Sequence, residues 1–300
     1  MFIEGFYLLT LKQNISVVLV TFNSADIIKN FLMQAPLRYY KNITIVDNAS
    51  SDATVSIIQK NRGDVQLIRL KNNIGFGSAV NIGLASNSSM YSLVINPDTF
   101  LSTSFFDELS LGMLRHPDAG LIAPTILSDN HFSSSPNSTF ARKESHQLHK
   151  RDLSADFISG ACFLIKPDLF ADRKIFDENI FMFYEDNDLS RQIEKKHLKK
   201  IILKDCFIYH QGEGSSTPSH HVTALKNFHY GWSESYFNAK HNAPGVARRK
   251  NLLSTLNYFK RVIIFSLILN KKRMIPSWFR LKGKVSFMLG QKAQDIRESL

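Results

Sequence analysis

This 300-residue chain has only two cysteines, Cys162 and Cys206, without metal-site spacing. That excludes a disulfide framework and points to a reducing compartment. Long apolar runs are also missing. No stretch approaches the ~18 to 20 apolar residues of a membrane-spanning helix. Residues 1–11 are apolar but short, and carry Glu4 where a secretory signal would place Lys or Arg, so they do not read as a signal peptide. The pair Gly75-Phe76-Gly77 lacks the third glycine of a dinucleotide fingerprint. Carboxylates are scarce at one end. Residues 221–300 hold 3 of the 26 Asp/Glu but 15 of the 37 Lys/Arg, so that tail carries the whole net charge of +11. Such asymmetry fits contact with an anionic surface, either a membrane leaflet or a nucleic acid. No sequence repeat is evident.

What is present is a folded globular chain, 44% apolar and 21% charged, long enough for one large or two small domains. Ile15 to Val20 is a β-branched apolar run, the mark of a strand buried on both faces. Helical spacing follows from Ala25 to Ala35. Strands at 43–46, 65–70 and 92–95 alternate with helical patterns at 53–61 and 78–85. This alternation predicts an α/β fold with a mainly parallel central sheet. Further on, 105–114 reads as helix and 120–123, 157–165 and 201–209 as strands, with a polar loop over 128–154.

The strand ends are polar. Asn23, then Asp47 and Asp52, then Asn73 follow three successive strands, and such groups can hydrogen-bond a nucleoside. The competing reading makes Asp52 a helix cap and Asn48-Ala49-Ser50 a turn. Gly75 permits close backbone approach to a ligand. The fourth strand stops at Asn96-Pro97, which leaves Asp98 just beyond a carboxyl end, the edge where open α/β sheets bind ligands. Tyr184-Glu185-Asp186-Asn187-Asp188 packs three carboxylates into five residues after an aromatic run. As a bland alternative these acids simply favour a helix dipole, with Asp188 facing solvent.

Four motifs in order, Val17-Val18-Leu19-Val20-Thr21-Phe22-Asn23, Ile45-Val46-Asp47-Asn48-Ala49-Ser50-Ser51-Asp52, Asn72-Asn73-Ile74-Gly75-Phe76-Gly77-Ser78-Ala79-Val80-Asn81-Ile82-Gly83 and Asn96-Pro97-Asp98, resemble those of a family-2 glycosyltransferase. Closest is the rhamnosyltransferase-like subgroup of bacterial surface-polysaccharide synthesis. The resemblance spans about residues 15–220 and implies the GT-A fold, which binds a nucleotide-diphosphosugar. It implies that Thr21, Asn23, Asp47 and Asp52 hold the nucleoside, that Asn73, Gly75, Asn81 and Asn96 belong to the donor pocket, and that Asp98 ends the metal-binding Asp-x-Asp motif, here with Asn96 in place of the first carboxylate. His210, closing the last strand before a Gly/Ser-rich loop, takes by resemblance a metal or leaving-group role. The cofactor implied is a divalent metal, Mg²⁺ or Mn²⁺. Phe176-Asp177-Glu178 through Glu185-Asp186-Asn187-Asp188-Leu189 resembles the family's second carboxylate motif, which places the catalytic base at Asp186 with Glu185 as its rival and Asp188 at the helix start. Arg173-Lys174-Ile175 stands where the family usually has glycines.

The expected organisation is a GT-A domain over 1–220 and a basic, aromatic, helical region over 221–300. In the latter, Val262 to Leu269 is apolar all round and flanked by Lys260-Arg261 and Lys271-Lys272-Arg273, which suits the interface of an anionic membrane. The expected activity is inverting transfer of a sugar, best matched by L-rhamnose from dTDP-rhamnose, onto a polyprenyl-diphosphate-linked or glycan acceptor. The expected location is cytoplasmic, peripheral on the inner membrane face, with no nucleic acid partner. The alternative is a nucleotide-sugar-binding protein or a sugar nucleotidyltransferase. The latter needs a Gly-rich basic loop after its first strand, and Thr21-Phe22-Asn23-Ser24-Ala25-Asp26 has neither. A binding-only protein has no need of the second carboxylate cluster.

Overall fold

The computed structural model describes residues 14–38, 40–127, 152–211 and 220–296. The polar loop expected over 128–154 lies outside these residues except for its last three, and the Gly/Ser-rich loop after Gln211 lies wholly outside them. The chain forms two compact units. The first comprises the residues up to Asn73, Ala79–Phe176 and the stretch from Leu189 through the last strand. The second comprises Ile74–Ser78, Asp177–Asp188 and the C-terminal helices.

The first unit is a sheet with helices packed on it. Its N-terminal half runs β1 (Ile15–Thr21), α1 (Ala25–Leu32), α2 (Ala35–Arg38), β2 (Ile43–Asp47), α3 (Thr54–Asn61), β3 (Gln66–Arg69), α4 (Phe76–Ala85) and β4 (Tyr91–Ile95). β1 pairs in parallel with β2 on one side and β4 on the other, and β2 pairs in parallel with β3. Every residue of β1 and β2 is buried, as their continuous apolar sequence requires. β3 closes one edge and is only half buried. Ile28, Phe31 and Leu32 of α1 fall on one helical face and enter the core.

The second half of the sheet is mixed. It adds β5 (Thr99–Leu101), α5 (Phe105–Arg115), β6 (Ala119–Leu127), β7 (Asp152–Ser154), β8 (Cys162–Ile165), α6 (Glu185–Lys195) and β9 (Lys199–His210). The order is β3-β2-β1-β4-β8-β6-β9-β5, with β7 also on β9. β8 is antiparallel to both β4 and β6, and β5 is antiparallel to β9. β6 and β9 pair in parallel, so the expectation of a mainly parallel sheet holds, with β8, β5 and β7 as its antiparallel members. The strand expected over 157–165 is shortened to four residues. Upstream of it, Ala161 N–H turns to the Ser159 hydroxyl (3.3 Å) and Ile158 N–H to the Ser190 hydroxyl (3.2 Å), side-chain bonds that replace ladder pairing. Arg173, the first of the three positions where the family resemblance expects glycines, stands in the left-handed region at φ 57°, as does Asp172 before it at 53°. That strain is offset by the Arg173 guanidinium, which donates to the Leu84 and Ser89 carbonyls and pairs with Asp168.

The second unit centres on α7 (His220–His241), α8 (Pro244–Leu267) and α9 (Lys271–Met288). Phe181, Phe228, Trp232 and Ala293 form its core. α7 and α9 meet backbone to backbone through glycines. A Cβ on Gly231 would lie 2.1 Å from the Arg280 carbonyl oxygen, and one on Gly283 would lie 2.0 Å from that of Phe228. Beside this crossing the fully buried Lys284 ammonium meets Glu234 at 2.9 Å. Burial pushes its pKa down, and Glu234 acts against that shift.

This crossing makes a paired prediction. Gly231→Ala and Gly283→Ala should each destabilise the protein by roughly 1–3 kcal/mol, the usual cost of overpacking. Gly245→Ala, at the exposed start of α8, meets nothing within 4 Å and should be neutral or slightly stabilising. Urea midpoints of the three variants check this; equal midpoints would overturn it.

Candidate active site

In the first unit the carboxyl ends of β1, β2 and β4 share one edge because the strands run parallel in tight register. Thr21 pairs with Asp47, and Leu19 with Ile95. Thr21 is fully buried, and its hydroxyl donates to Asp47 Oδ1 at 3.1 Å. The other Asp47 oxygen accepts from Ser50 N–H at 3.1 Å. Thr21 therefore orients Asp47 rather than facing a ligand itself.

The loop that follows is tied to its neighbour. Asn23, at φ 50°, accepts from Ser51 N–H (2.8 Å) through Oδ1, while its own N–H donates to the Ser50 hydroxyl (2.9 Å). Asn tolerates this left-handed backbone better than most residues. Asp52 serves two helix starts at once: Oδ2 accepts from Ala25 N–H at the head of α1, and Oδ1 accepts from Thr54 N–H and hydroxyl at the head of α3. Burial alone would raise its carboxyl; the bonds from Thr54 and Ala25 outweigh it and hold the group below the usual carboxylate range. The capping role weighed against nucleoside binding is thus physically present. Asn48 donates to Asn73 Oδ1 at 2.9 Å, joining the loops after β2 and β3. Asn81, expected to shape the donor pocket, is buried and spends both amide atoms on the backbone of Phe176, at 2.8 and 3.0 Å. Its contribution is to hold the chain entering the second carboxylate motif.

Asp98 follows β4 and is 4% exposed. The antiparallel pairing of β5 with β9 sets Thr99 opposite His210 and brings His210 Nε2 to 3.1 Å from Asp98 Oδ1, across 112 positions of sequence. Gln34 fixes β5 from outside, donating to the Thr99 carbonyl and accepting from Leu101 N–H, both at 2.7 Å. Asn96 N–H donates to the Ala161 carbonyl at 2.9 Å, and its own carbonyl accepts from the Thr99 hydroxyl at 2.8 Å. Among the described residues no three His, Cys, Asp or Glu side chains converge on one point. An oxygen–nitrogen pair of this kind suits a divalent ion that completes its shell with diphosphate and water oxygens, and not an all-protein cage.

The second unit holds the other carboxylates. Phe183 and Tyr184 both stand at positive φ, 65° and 68°, immediately before α6 begins at Glu185. Two adjacent aromatics in this region are strained, and ring contacts hold them there: both rings meet Tyr230 edge to face, and Tyr184 also meets Phe237 at a tilt. Glu185 Oε2 is buried without a hydrogen-bond partner among the described residues. Burial first, and then the neighbouring Asp186, push the Glu185 carboxyl up to about 8. Asp186 Oδ1 accepts from the N–H of Asn187 at 2.9 Å.

Asp188 does not face solvent. It is fully buried and bound by Lys240 Nζ at 2.8 Å and His241 Nε2 at 2.6 Å, both from the end of α7. Lys240 also reaches Asp177, which in turn accepts from the Tyr236 hydroxyl. Burial opposes charge on Asp177 and Lys240 alike; their mutual bonds prevail, lowering the Asp177 carboxyl and raising the Lys240 ammonium. The sequence places Tyr236, Lys240 and His241 in the basic, aromatic tail and gives them no part in the site. The available signal was a Lys-His pair closing an otherwise aromatic helix, the charge complement of an acidic cluster about fifty residues upstream.

Comparison with known proteins gives the chain's family and fold. The family model for Glycosyl transferase family 2 matches residues 16–173. An N-acetylglucosaminyl-diphospho-decaprenol L-rhamnosyltransferase of Mycobacterium tuberculosis is 24% identical over 263 residues, covering 72% of this chain and 85% of the relative. Among solved structures, the mannosyltransferase PcManGT from Pyrobaculum calidifontis, in complex with GDP-Man and Mn²⁺, superposes with a TM-score of 0.59 at 14% identity, over 93% of this chain and 88% of that one. TarS 1–349 of S. aureus, in complex with UDP-GlcNAc, gives a TM-score of 0.51 at 17% identity, over 92% of each chain. The structural likenesses show a GT-A-like fold. With more than half its length matched by the family model, the chain belongs to glycosyl transferase family 2 and is a glycosyltransferase.

Proposed function

We propose that this enzyme transfers L-rhamnose from dTDP-rhamnose to a polyprenyl-diphosphate-linked or glycan acceptor, with inversion at the anomeric carbon, at the cytoplasmic face of the cell membrane. The observation that carries the reading is the Asp98–His210 pair, a buried carboxylate and a half-buried imidazole at the carboxyl edge of the sheet. A diphosphate leaving group needs charge neutralised at such an edge. The rhamnosyltransferase relative supports the sugar and a lipid-linked acceptor. The basic 221–300 region supports an anionic membrane as partner.

Asp47, with Thr21 and Ser50 fixing its oxygens, accepts hydrogen bonds from the nucleoside. Asp98 and His210 hold the divalent metal, Mg²⁺ or Mn²⁺. When bound there, the ion supplies positive charge against the leaving diphosphate. Transfer is one displacement: the acceptor hydroxyl oxygen bonds to the anomeric carbon as that carbon's bond to the diphosphate oxygen breaks. Asp186 takes the hydroxyl proton. Burial and the neighbouring Asp186 raise the Glu185 carboxyl to about 8, so it already holds a proton at neutral pH and is the poorer base.

The direct test incubates the purified full-length protein with dTDP-, UDP- and GDP-sugars and acceptor, reading nucleoside diphosphate release. dTDP-rhamnose should be turned over fastest; a clear preference for another donor overturns the sugar assignment. Asp98→Asn should lower turnover roughly 10²- to 10³-fold while the protein stays folded. Near-wild-type turnover, or full activity in excess chelator, would remove the metal role.

Asp186→Asn should cut turnover roughly 10²- to 10⁴-fold with donor affinity unchanged, whereas Glu185→Gln should retain most activity. The reverse result makes Glu185 the base. Glu185 also makes a pH signature. The native state holds a proton that the unfolded chain, with its carboxyl near 4.5, has released, so stability declines as pH rises from 4.5 towards about 8. Glu185→Gln should flatten that slope in denaturation midpoints measured across the window.

A further inference from the structure

The second unit presents a surface that the transfer chemistry does not use. Leu252, Leu256, Phe259, Ile263 and Leu267 recur along α8 at i, i+4, i+7, i+11 and i+15, and are between 45% and 78% exposed. That spacing is a single face of a 3.6-residue helix. The opposite face, with Ala247, Asn251 and Tyr258, is the buried one, so the outward stripe adds nothing to the packing of the helix. At its end the chain turns through Leu267-Ile268-Leu269, with Leu269 84% exposed at φ 53°. Contiguous apolar exposure on this scale marks an interaction surface.

Its charge says what covers it. From Ser235 to Gln294 there is no Asp or Glu, against 13 Lys/Arg. Arg248, Arg249 and Lys260, all exposed, lie on or beside the stripe, and Lys271-Lys272-Arg273 follow the turn. A second copy of the chain fits poorly, because an isologous contact through this face would set its bases against each other. A nucleic acid offers phosphates but no apolar phase for Leu, Ile and Phe. No described helix is long and apolar enough to cross a membrane.

We infer that the outward face of α8, with its Leu267-Ile268-Leu269 tip, lies in the interface of an anionic bilayer, apolar side chains in the acyl boundary and bases among the headgroups. This rests on the membrane reading given above and names the element that makes the contact.

The test is co-sedimentation of the full-length protein with vesicles of phosphatidylcholine plus phosphatidylglycerol, and with phosphatidylcholine alone. Wild type should bind the anionic vesicles, more weakly as salt rises, and should bind the neutral ones poorly. The variant Leu256→Ser/Phe259→Ser/Ile263→Ser should bind the anionic vesicles roughly tenfold more weakly or worse. It should keep its melting temperature and its turnover of a water-soluble acceptor. If wild type binds and the variant binds equally, the membrane reading stands and the α8 assignment falls. If wild type binds neither vesicle, both fall. Equal binding to neutral and anionic vesicles overturns the charge argument, and a solution dimer that the variant dissociates, with vesicle binding unaltered, makes the stripe a subunit contact.

Discussion

Parallel pairing of β1 with β2 and β4 is the constraint on which the donor-side residues depend. Parallel strands place all their carboxyl ends on one edge, so polar residues separated by tens of positions become neighbours there. Register sharpens the effect. Thr21 lies directly opposite Asp47 and can bond to it; a slip of one residue would point the same hydroxyl to the other face of the sheet. β9 runs in the same direction as β4, so its carboxyl end reaches the same edge. β5 returns antiparallel on β9, and that pairing alone brings His210 to Asp98.

Many of the polar side chains along this edge hold the loops themselves. Thr21, Ser50, Asn48 and Asn81 spend their hydrogen bonds on the protein. Asp52 does so three times over, and two helices start where it places them. A loop that must present a few polar atoms to a charged substrate has to satisfy its remaining backbone groups internally, because any left unpaired at a water-excluding site carries a desolvation penalty.

The second unit solves a different electrostatic problem. It buries Asp188 fully and Asp177 in part, and compensates them with Lys240 and His241 from one helix end. Among the described residues Glu185 receives no such partner, and its affinity for a proton rises with its burial and with Asp186 beside it. Two acids three residues apart, Glu185 and Asp188, thus meet opposite surroundings within one turn of α6. The strained Phe183 and Tyr184 backbones set where that turn begins.

By itself the sequence determined the alternating α/β core, because buried parallel strands need uninterrupted β-branched apolar runs and amphipathic helices need their own period; both are local patterns. It also determined which polar residues close the strands, and the family to which they belong. The switch to a mixed sheet was not legible, since an apolar run such as Cys162 to Ile165 pairs equally well in either direction and only its connections decide. Nor was the division of labour among the polar residues. Whether Asp52 caps, Asn81 braces, or Asp188 meets Lys240 and His241 depends on which distant groups the fold carries to within hydrogen-bonding distance. Residue type and spacing along a chain fix what a side chain can bond to, while the tertiary structure alone fixes what it meets.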